Sequence, residues 1–441
     1  MMKRLTIYLL MISVALNANA EIISLNVDEA AEMAVKNNLS LKSSAIDVRI
    51  KERKKDLAWN VFIPAIDASA DLSNTRQLFS APLASYDPIW TLNPKLSMTL
   101  PLNIAAGTGI IQTIIDYDAG ELSYRDARKQ LERDVRKQFY NMIALAANID
   151  LKKVNIEIAE KRYDQSRENY NNGLISELEM LQSQVTVENM KPELNALNTQ
   201  FENGLMNFKF LSGIPLDTEV FLMGDLNNIR FYEMDREELI KSYSAGRMDT
   251  LQLNKAIESL ENTKRATSQL NKTPNLTLYS IWQTSVTDPL GGDSWDTDSW
   301  SDSFVLGLQI SFPLDDFIPN SRTDVSLKEM EDSIEKLEIQ RQQLYEAASM
   351  EITNLVMNLD NSYRTIETYE LNVTLAQKSF DLTTEAYNLG TRELLDVETA
   401  QESLLAASQS ILFEKINYIS NLFDLQYAIN ADDLSEVLEE K

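Results

Sequence analysis

Two hydrophobic periodicities divide this chain between them. Apolar or small residues at Ile352, Leu355, Leu359, Ser362, Ile366, Tyr369, Val373, Ala376 and Phe380 recur three and four positions apart, the spacing of a coiled-coil seam. Just before them, Leu344, Ala348 and Ile352 are spaced four and four, a stutter that relaxes the supercoil. No proline falls between Pro101 and Pro192, no glycine between Gly120 and Gly173, and the later half is free of glycine from Gly307 to Gly390. Nothing therefore interrupts two very long helices. One over 104–170 is about 100 Å long at 1.5 Å per residue, more than an ordinary globular domain holds. Helices over 28–62 and 176–211 are each near half that length and match it when stacked end to end. Pro192, inside 176–211, predicts a kink that the other half does not share.

The second periodicity is two. Ile66, Ala68, Ala70 and Leu72 alternate with Asp67, Ser69, Asp71 and Ser73, and Phe304, Leu306, Leu308, Ile310 and Phe312 alternate with small or polar neighbours. Leu96, Met98 and Leu100 repeat the pattern more weakly. Residues 275–284 are ambiguous, because Leu276 and Leu278 fall out of phase with Ile281. Such strands suit either a β-barrel with a wet lumen or soluble hairpins packed on helices. All five tryptophans, Trp59, Trp90, Trp282, Trp295 and Trp300, lie in or beside these strands, where the aromatic girdles of a membrane barrel belong. Four strands cannot close a barrel, which needs about eight. The chain must then oligomerise to remove its sheet edges, and three copies supply twelve strands.

The two patterns repeat. Shifted by 217 positions, residues 149–184 align with 366–401 without a gap and share eleven identities in 36 positions, where average composition gives roughly two. Both copies read Tyr-Asn-x-Gly: Tyr170-Asn171-Asn172-Gly173 and Tyr387-Asn388-Leu389-Gly390. The expected architecture is mainly α with a small β part, a duplicated helix, strand, strand, long helix and return helix. The first repeat covers 21–213, with helices 28–62, 104–170 and 176–211 and strands 64–75 and 92–101. A linker covers 214–234. The second repeat covers 235–430, with helices 235–271, 322–387 and 393–429 and strands 274–284 and 303–312, and an acidic tail covers 431–441.

Composition narrows the function. Lys3 and Arg4 precede an apolar run over 5–16 and then Ala18-Asn19-Ala20, a cleavable secretory signal over 1–20. Its apolar run is too short for a spanning helix, and no later segment supplies one. Cysteine and histidine are both absent, which removes disulfides, thiolate metal sites and the usual residues of hydrolytic and metal chemistry. No cofactor or metal is expected. Losing Lys3 and Arg4 takes the net charge from −26 to −28, which repels nucleic acid. The acidity is either a solvated surface or, in part, the lining of a passage that attracts cations. Asp288, Asp293, Asp296, Asp298 and Asp302 sit in one loop without the ordered spacing of an EF-hand, so an exposed loop is the better reading than a calcium site.

The most specific motif is Tyr387-Asn388-Leu389-Gly390-Thr391-Arg392-Glu393-Leu394-Leu395-Asp396-Val397, echoed at Tyr170-Asn171-Asn172-Gly173. With the duplicated order around it, the mature chain resembles the TolC-type outer-membrane efflux factors. The resemblance implies a homotrimer with a shared transmembrane β-barrel in outer-membrane lipid. Long coiled-coil hairpins would form a periplasmic α-barrel below it, served by a periplasmic adaptor and an inner-membrane transporter. It also implies a gate latch at the tip, with Tyr387 and Arg392 facing Glu179, and an acidic ring of Asp396 at the entrance. One turn on from Asp396 stands Thr399 with Glu398 beside it, so the resemblance gives no second acidic ring. The tip turns Gly173, Leu174, Ile175, Gly390 and Thr391 are the expected docking surface for the adaptor. The rival reading is a periplasmic coiled-coil adaptor, which ordinarily has one hairpin rather than two. An enzyme finds no His, Cys or phosphate-cradling loop here.

Overall fold

A computed structural model describes residues 22–75, 89–227, 229–291, 295–314 and 317–440. The signal segment over 1–20 and part of the aspartate-rich loop, Asp293 included, lie outside these residues. Two helices of 67 residues, α3 (Ala105–Asn171) and α7 (Arg322–Asn388), run the length of the helical region. Each turns back at its tip, into α4 (Glu177–Ser212) and α8 (Leu394–Ala428) respectively. The space left above each return helix is filled by α2 (Leu39–Asp56) and α6 (Met248–Lys272). Side-by-side packing gives the order α2 with α4, then α3, then α6 with α8, then α7. One edge of this layer is therefore α7 and the other is α2 stacked on α4. The helix α4 continues through Pro192. Beside it the buried ammonium of Lys152 on α3 pairs with Glu193. Among the described residues no helix is long and apolar enough to cross a membrane.

At the far end from the tips, β2 (Ala65–Thr75), β3 (Ile89–Leu102), β6 (Asn275–Thr287) and β7 (Trp300–Ser311) form one antiparallel sheet in that order, with β2 and β7 as free edges. Its register sorts the side chains. Rows such as Ala68, Leu96, Trp282, Phe304 and Ile66, Met98, Ser280, Leu306 place the large apolar residues on one face. The other face carries Asp67, Ser97, Ile281, Val305 and Ser69, Lys95, Gln283, Ser303. Ile281 thus belongs to the more polar face, which is why 275–284 carries no clean alternation. On that same face the Tyr279 ring lies across Gly307, where a Cβ would collide with it.

Three expectations about segments change. The opening helix expected over 28–62 is broken at Asn38 into α1 (Val27–Asn37) and α2. The Asn38 side chain accepts from Leu41 N at 3.0 Å and donates to Leu211 O at 2.9 Å, so it caps one helix while tying it to the end of α4. A 3₁₀ turn, Ala58–Phe62, then leads to the sheet. The helix expected over 235–271 is likewise split, into α5 (Arg236–Tyr243) and α6, with Arg247 between them. That guanidinium is nearly buried, pairs with Asp249 and Glu351 at 2.8 Å, and reaches Ala428 O. Finally, the linker over 214–234 and the tail over 431–441 both enter sheets. The strand β4 (Glu219–Leu222) pairs in parallel with β1 (Ile22–Leu25), and β5 (Tyr232–Glu233) pairs with β8 (Glu439–Glu440).

These short pieces form a belt around the middle of the long helices. Leu25, Ala30, Ala34, Ile214 and Phe208 close over Val135 and Phe139 of α3. On the second repeat Tyr232, Leu239 and Leu434 close over Ile352, Val356 and Leu359 of α7 with Tyr418 and Leu425 of α8. Tyr418 is 1% exposed, and burial pushes its phenol up to about 12 while its oxygen accepts from Tyr232 N at 3.3 Å. The belt anchors mid-helix positions and leaves the tips free to differ in stability.

Candidate gate at the hairpin tips

Each hairpin turns on a glycine because the chain there needs a left-handed residue. Gly173 has φ 74° and Gly390 φ 71°. In the first turn Leu174 N donates to Asn169 O and Gly173 N to Tyr170 O, both at 2.9 Å. In the second, Thr391 N donates to Ala386 O at 2.9 Å and Gly390 N to Tyr387 O at 2.8 Å. Both are Schellman closures, which satisfy the last carbonyls of a helix and suit glycine at this place. The return helices start at once. The Ser176 hydroxyl accepts from Glu179 N at 3.3 Å, and Glu393 makes a reciprocal capping pair with Asp396. The turns leave apolar residues in solvent: Leu174 is 72% and Leu389 73% exposed. Gly173, Gly390 and Thr391 are exposed too, and Ile175 is half-buried.

The structure brings part of the expected latch together. Tyr387 is half-buried, beside Ser166 of α3. Burial raises its phenol, the nearby Glu179 carboxylate raises it further, and Arg162 opposes both. Arg392 instead pairs with Asp396 one turn away on its own hairpin, at 3.5 Å, with both side chains largely exposed. No ion pair joins Arg392 to Glu179 among the described residues of this single chain.

A group that sequence reasoning passed over lies just behind these residues. Arg162 of α3 donates to Gln401 Oε1 on α8. Gln401, 4% exposed, donates back to Asn155 Oδ1 at 2.7 Å and to Asn155 O at 3.1 Å. The guanidinium also lies 5.2 Å from the Phe380 ring of α7. Glu398 of α8 accepts from Thr186 Oγ1 of α4 at 3.4 Å. One cluster therefore ties all four tip helices. Burial lowers Arg162, with Glu398 and Tyr387 opposing the shift. Burial raises the Glu398 carboxyl, and Thr186 and Arg162 only partly offset it. Glu398 thus turns into this cluster between the hairpins. Gln401 repeats Gln184, which was a signal of a shared role, but nothing in the sequence points to Arg162.

The raised Glu398 carboxyl has a testable sign. Its protonated form is the one burial favours, so this contribution to stability is present below the ordinary carboxylate range and lost as pH rises through the raised value. Glu398→Gln keeps the acceptor for Thr186 without the buried charge. The variant is expected to melt no lower than the parent at pH 7, followed by circular dichroism, with any advantage disappearing near pH 4. A clear loss of stability at pH 7 would show that the attraction of Arg162 outweighs burial.

The contacts that join the two hairpins near the tip are thus polar ones, Arg162 to Gln401, Gln401 to Asn155 and Thr186 to Glu398, with the Arg162 guanidinium beside the Phe380 ring. Comparison with known proteins agrees with this geometry. The model of the family described as outer membrane efflux protein matches residues 30–213 and 275–431. The outer membrane protein TolC of Salmonella enteritidis is 19% identical over 423 residues, which are 93% of this chain and 83% of that protein. The Campylobacter jejuni CmeC outer membrane channel superimposes with a TM-score of 0.75 at 16% identity, covering 93% of this chain and 88% of that one. VceC, an outer membrane protein of Vibrio cholerae, superimposes with a TM-score of 0.71 at 17% identity, covering 92% and 96%. At such identities the superpositions establish a shared fold. The family match spans well over half the chain and includes both hairpins and their tips: this chain belongs to the outer membrane efflux protein family, whose members act in the outer membrane with a helical tunnel reaching into the periplasm.

Proposed function

We propose that three copies of this chain close head to tail into a passive conduit, twelve strands in outer-membrane lipid above a twelve-position ring of helices. An inner-membrane pump supplies the cargo, and a periplasmic adaptor docks on the tips at Gly173, Leu174, Ile175, Gly390 and Thr391. The observation that carries this reading is the pair of uncovered edges. β2 and β7 are free in the sheet, α7 and α2 with α4 are free in the helical layer, and the sheet has one strongly apolar face. Ring closure pairs both sets of edges at once. In this role the chain performs no catalysis and needs no cofactor.

The closed state is held at the tip. Tyr387 and Glu179 contribute within a protomer. Arg392 exchanges Asp396 for Glu179 of the neighbouring copy, and Asp396 forms the acidic ring at the entrance. Exposed ion pairs are worth about 1 kcal/mol or less, so an adaptor's contacts suffice to release them. In detergent the purified chain is expected to have the mass of three protomers and to form channels in planar bilayers. Arg392→Ser is expected to raise the fraction of time the channel is open about twofold to fivefold, as loss of up to 1 kcal/mol implies. An unchanged closed state counts against Arg392 as a latch. A single protomer in solution overturns the conduit.

A further inference from the structure

The two free edges of the helical layer are chemically opposite just below the sheet. In a chain of net charge −26, α2 carries six basic residues against three acidic ones. Lys51 and Lys55 are used inside the protomer, Lys51 against Gly120 and Lys55 over the Tyr117 ring at 3.6 Å. Lys42, Arg49, Arg53 and Lys54 remain exposed around Ile46 and Ile50, which are themselves 46% and 45% exposed. The upper turns of α7 expose Glu329, Asp332 and Glu335 between Val325 and Ile339, 44% and 55% exposed. Among the ion pairs of the described residues, none engages these three carboxylates or Arg49, Arg53 and Lys54. The neighbouring Glu331 is held by Lys264 of α6.

The duplication supplies a ruler for how these edges meet. The helices α3 and α7 are equal in length and correspond at an offset of 217 residues. Pro64 and Pro274, each at the start of a strand, set α2 against α6 at an offset of 210. Within the protomer α3 meets α6 through Gln112, which donates to Ser259 Oγ at 2.8 Å. Carried to the free edges, Gln112 becomes Glu329 and Ser259 becomes Arg49. The Gln112–Ser259 contact, neutral in the protomer, becomes an acid opposite a base at the open edge, while Asn262, which donates to Gln112 Oε1 at 2.9 Å, becomes Glu52 beside them.

We propose that α7 of one copy docks against α2 of the next through an ionic seam below the barrel, with Glu329 paired to Arg49 of the neighbouring copy and Ile46, Ile50, Val325 and Ile339 packed beside them. The occupant is a second copy of this chain, which rests on the trimeric reading above and adds its register. Since the seam joins unlike edges, it runs in one direction around the ring and rejects pairing of α7 with α7 or α2 with α2.

The test uses the full chain in detergent, with the proportions of trimer and monomer followed by light scattering on heating. Arg49→Glu and Glu329→Arg each place like charges in all three seams. With each of the three seams weakened by about a factor of two or more, the trimer–monomer dissociation constant should rise about eightfold or more, so that monomer predominates at the parent's midpoint. Combining the two substitutions restores the pair in reversed order and should return the parent's behaviour. Helical circular dichroism of each variant monomer should be unchanged. Single variants as stable as the parent trimer, or a combined variant no better than the worse single, overturn the seam and leave the trimer standing. A parent chain that is monomeric overturns both.

Discussion

Arginine at Leu306 and Leu308 together is expected to abolish recovery of the chain in the outer-membrane fraction. Both residues are on β7 and are 66% and 56% exposed on the apolar face of the sheet. Leu306 lies in the row of Ile66, Met98 and Ser280, and Leu308 in that of Leu100 and Leu278. If this face meets lipid, each arginine near the bilayer midplane costs about 2–4 kcal/mol. Two per protomer put six in a trimer, a cost at or beyond the roughly 5–15 kcal/mol that holds a folded domain together. Val305 is the control. It directly precedes Leu306 on the opposite phase of the strand, is 45% exposed, and its row holds Asp67, Ser97 and Ile281. Because strand side chains alternate, Val305→Arg points away from the face of Leu306 and Leu308 and should fractionate with the parent. Density-gradient separation of membranes decides it. A doubly substituted chain that still reaches the outer membrane, or a Val305→Arg chain that does not, would reverse the assignment of the two faces.

The same phase argument marks how far the sequence could be read. Where the large apolar side chains fall mostly on one face, as on β7, alternation alone yields both the strand and its face. On β6 it fails, since Ile281 and Tyr279 sit on the less apolar face and blur the period. The tips were legible for a local reason, because a Schellman turn asks for glycine at one place whatever surrounds it. The belt was not. Its strands are four, four, two and two residues long, too short to show a period, and they pair residues far apart in the chain, Ile22 with Glu219 and Tyr232 with Glu440. Helix breaks at Asn38 and Arg247 depend equally on distant partners, Leu211 in one case and Glu351 and Ala428 in the other. Arg162 is the sharpest case. Its partner in the repeat alignment is Ser379, so the duplication gives no hint of it, and its hydrogen-bond partner Gln401 is 239 residues away.

That residue carries the larger expected effect on gating. Arg162→Ala should shift the channel toward its open state well beyond what loss of the exposed Arg392 contact does. Removing the guanidinium leaves the Oε1 of Gln401, buried at 4%, without its donor, at a cost of about 1–3 kcal/mol. It also strips Glu398 of the cation that opposes its burial, and frees Phe380 of α7 from its partner. These losses fall on contacts that join one hairpin to the other, so they penalise the closed pairing more than either hairpin alone. At about 2 kcal/mol per protomer the closed-to-open ratio falls roughly thirtyfold for each hairpin pair, against about fivefold at most for Arg392→Ser. Arg162→Lys keeps the charge but loses the planar fork, and should fall between the parent and the alanine variant. Single-channel recording in planar bilayers reads the open fraction, and the trimer's mass in detergent guards against a merely unfolded protein. An intact Arg162→Ala trimer whose conductance matches the parent would place the gate elsewhere than in this cluster. A response smaller than that of Arg392→Ser would instead put the closing energy in the exposed contacts at the rim.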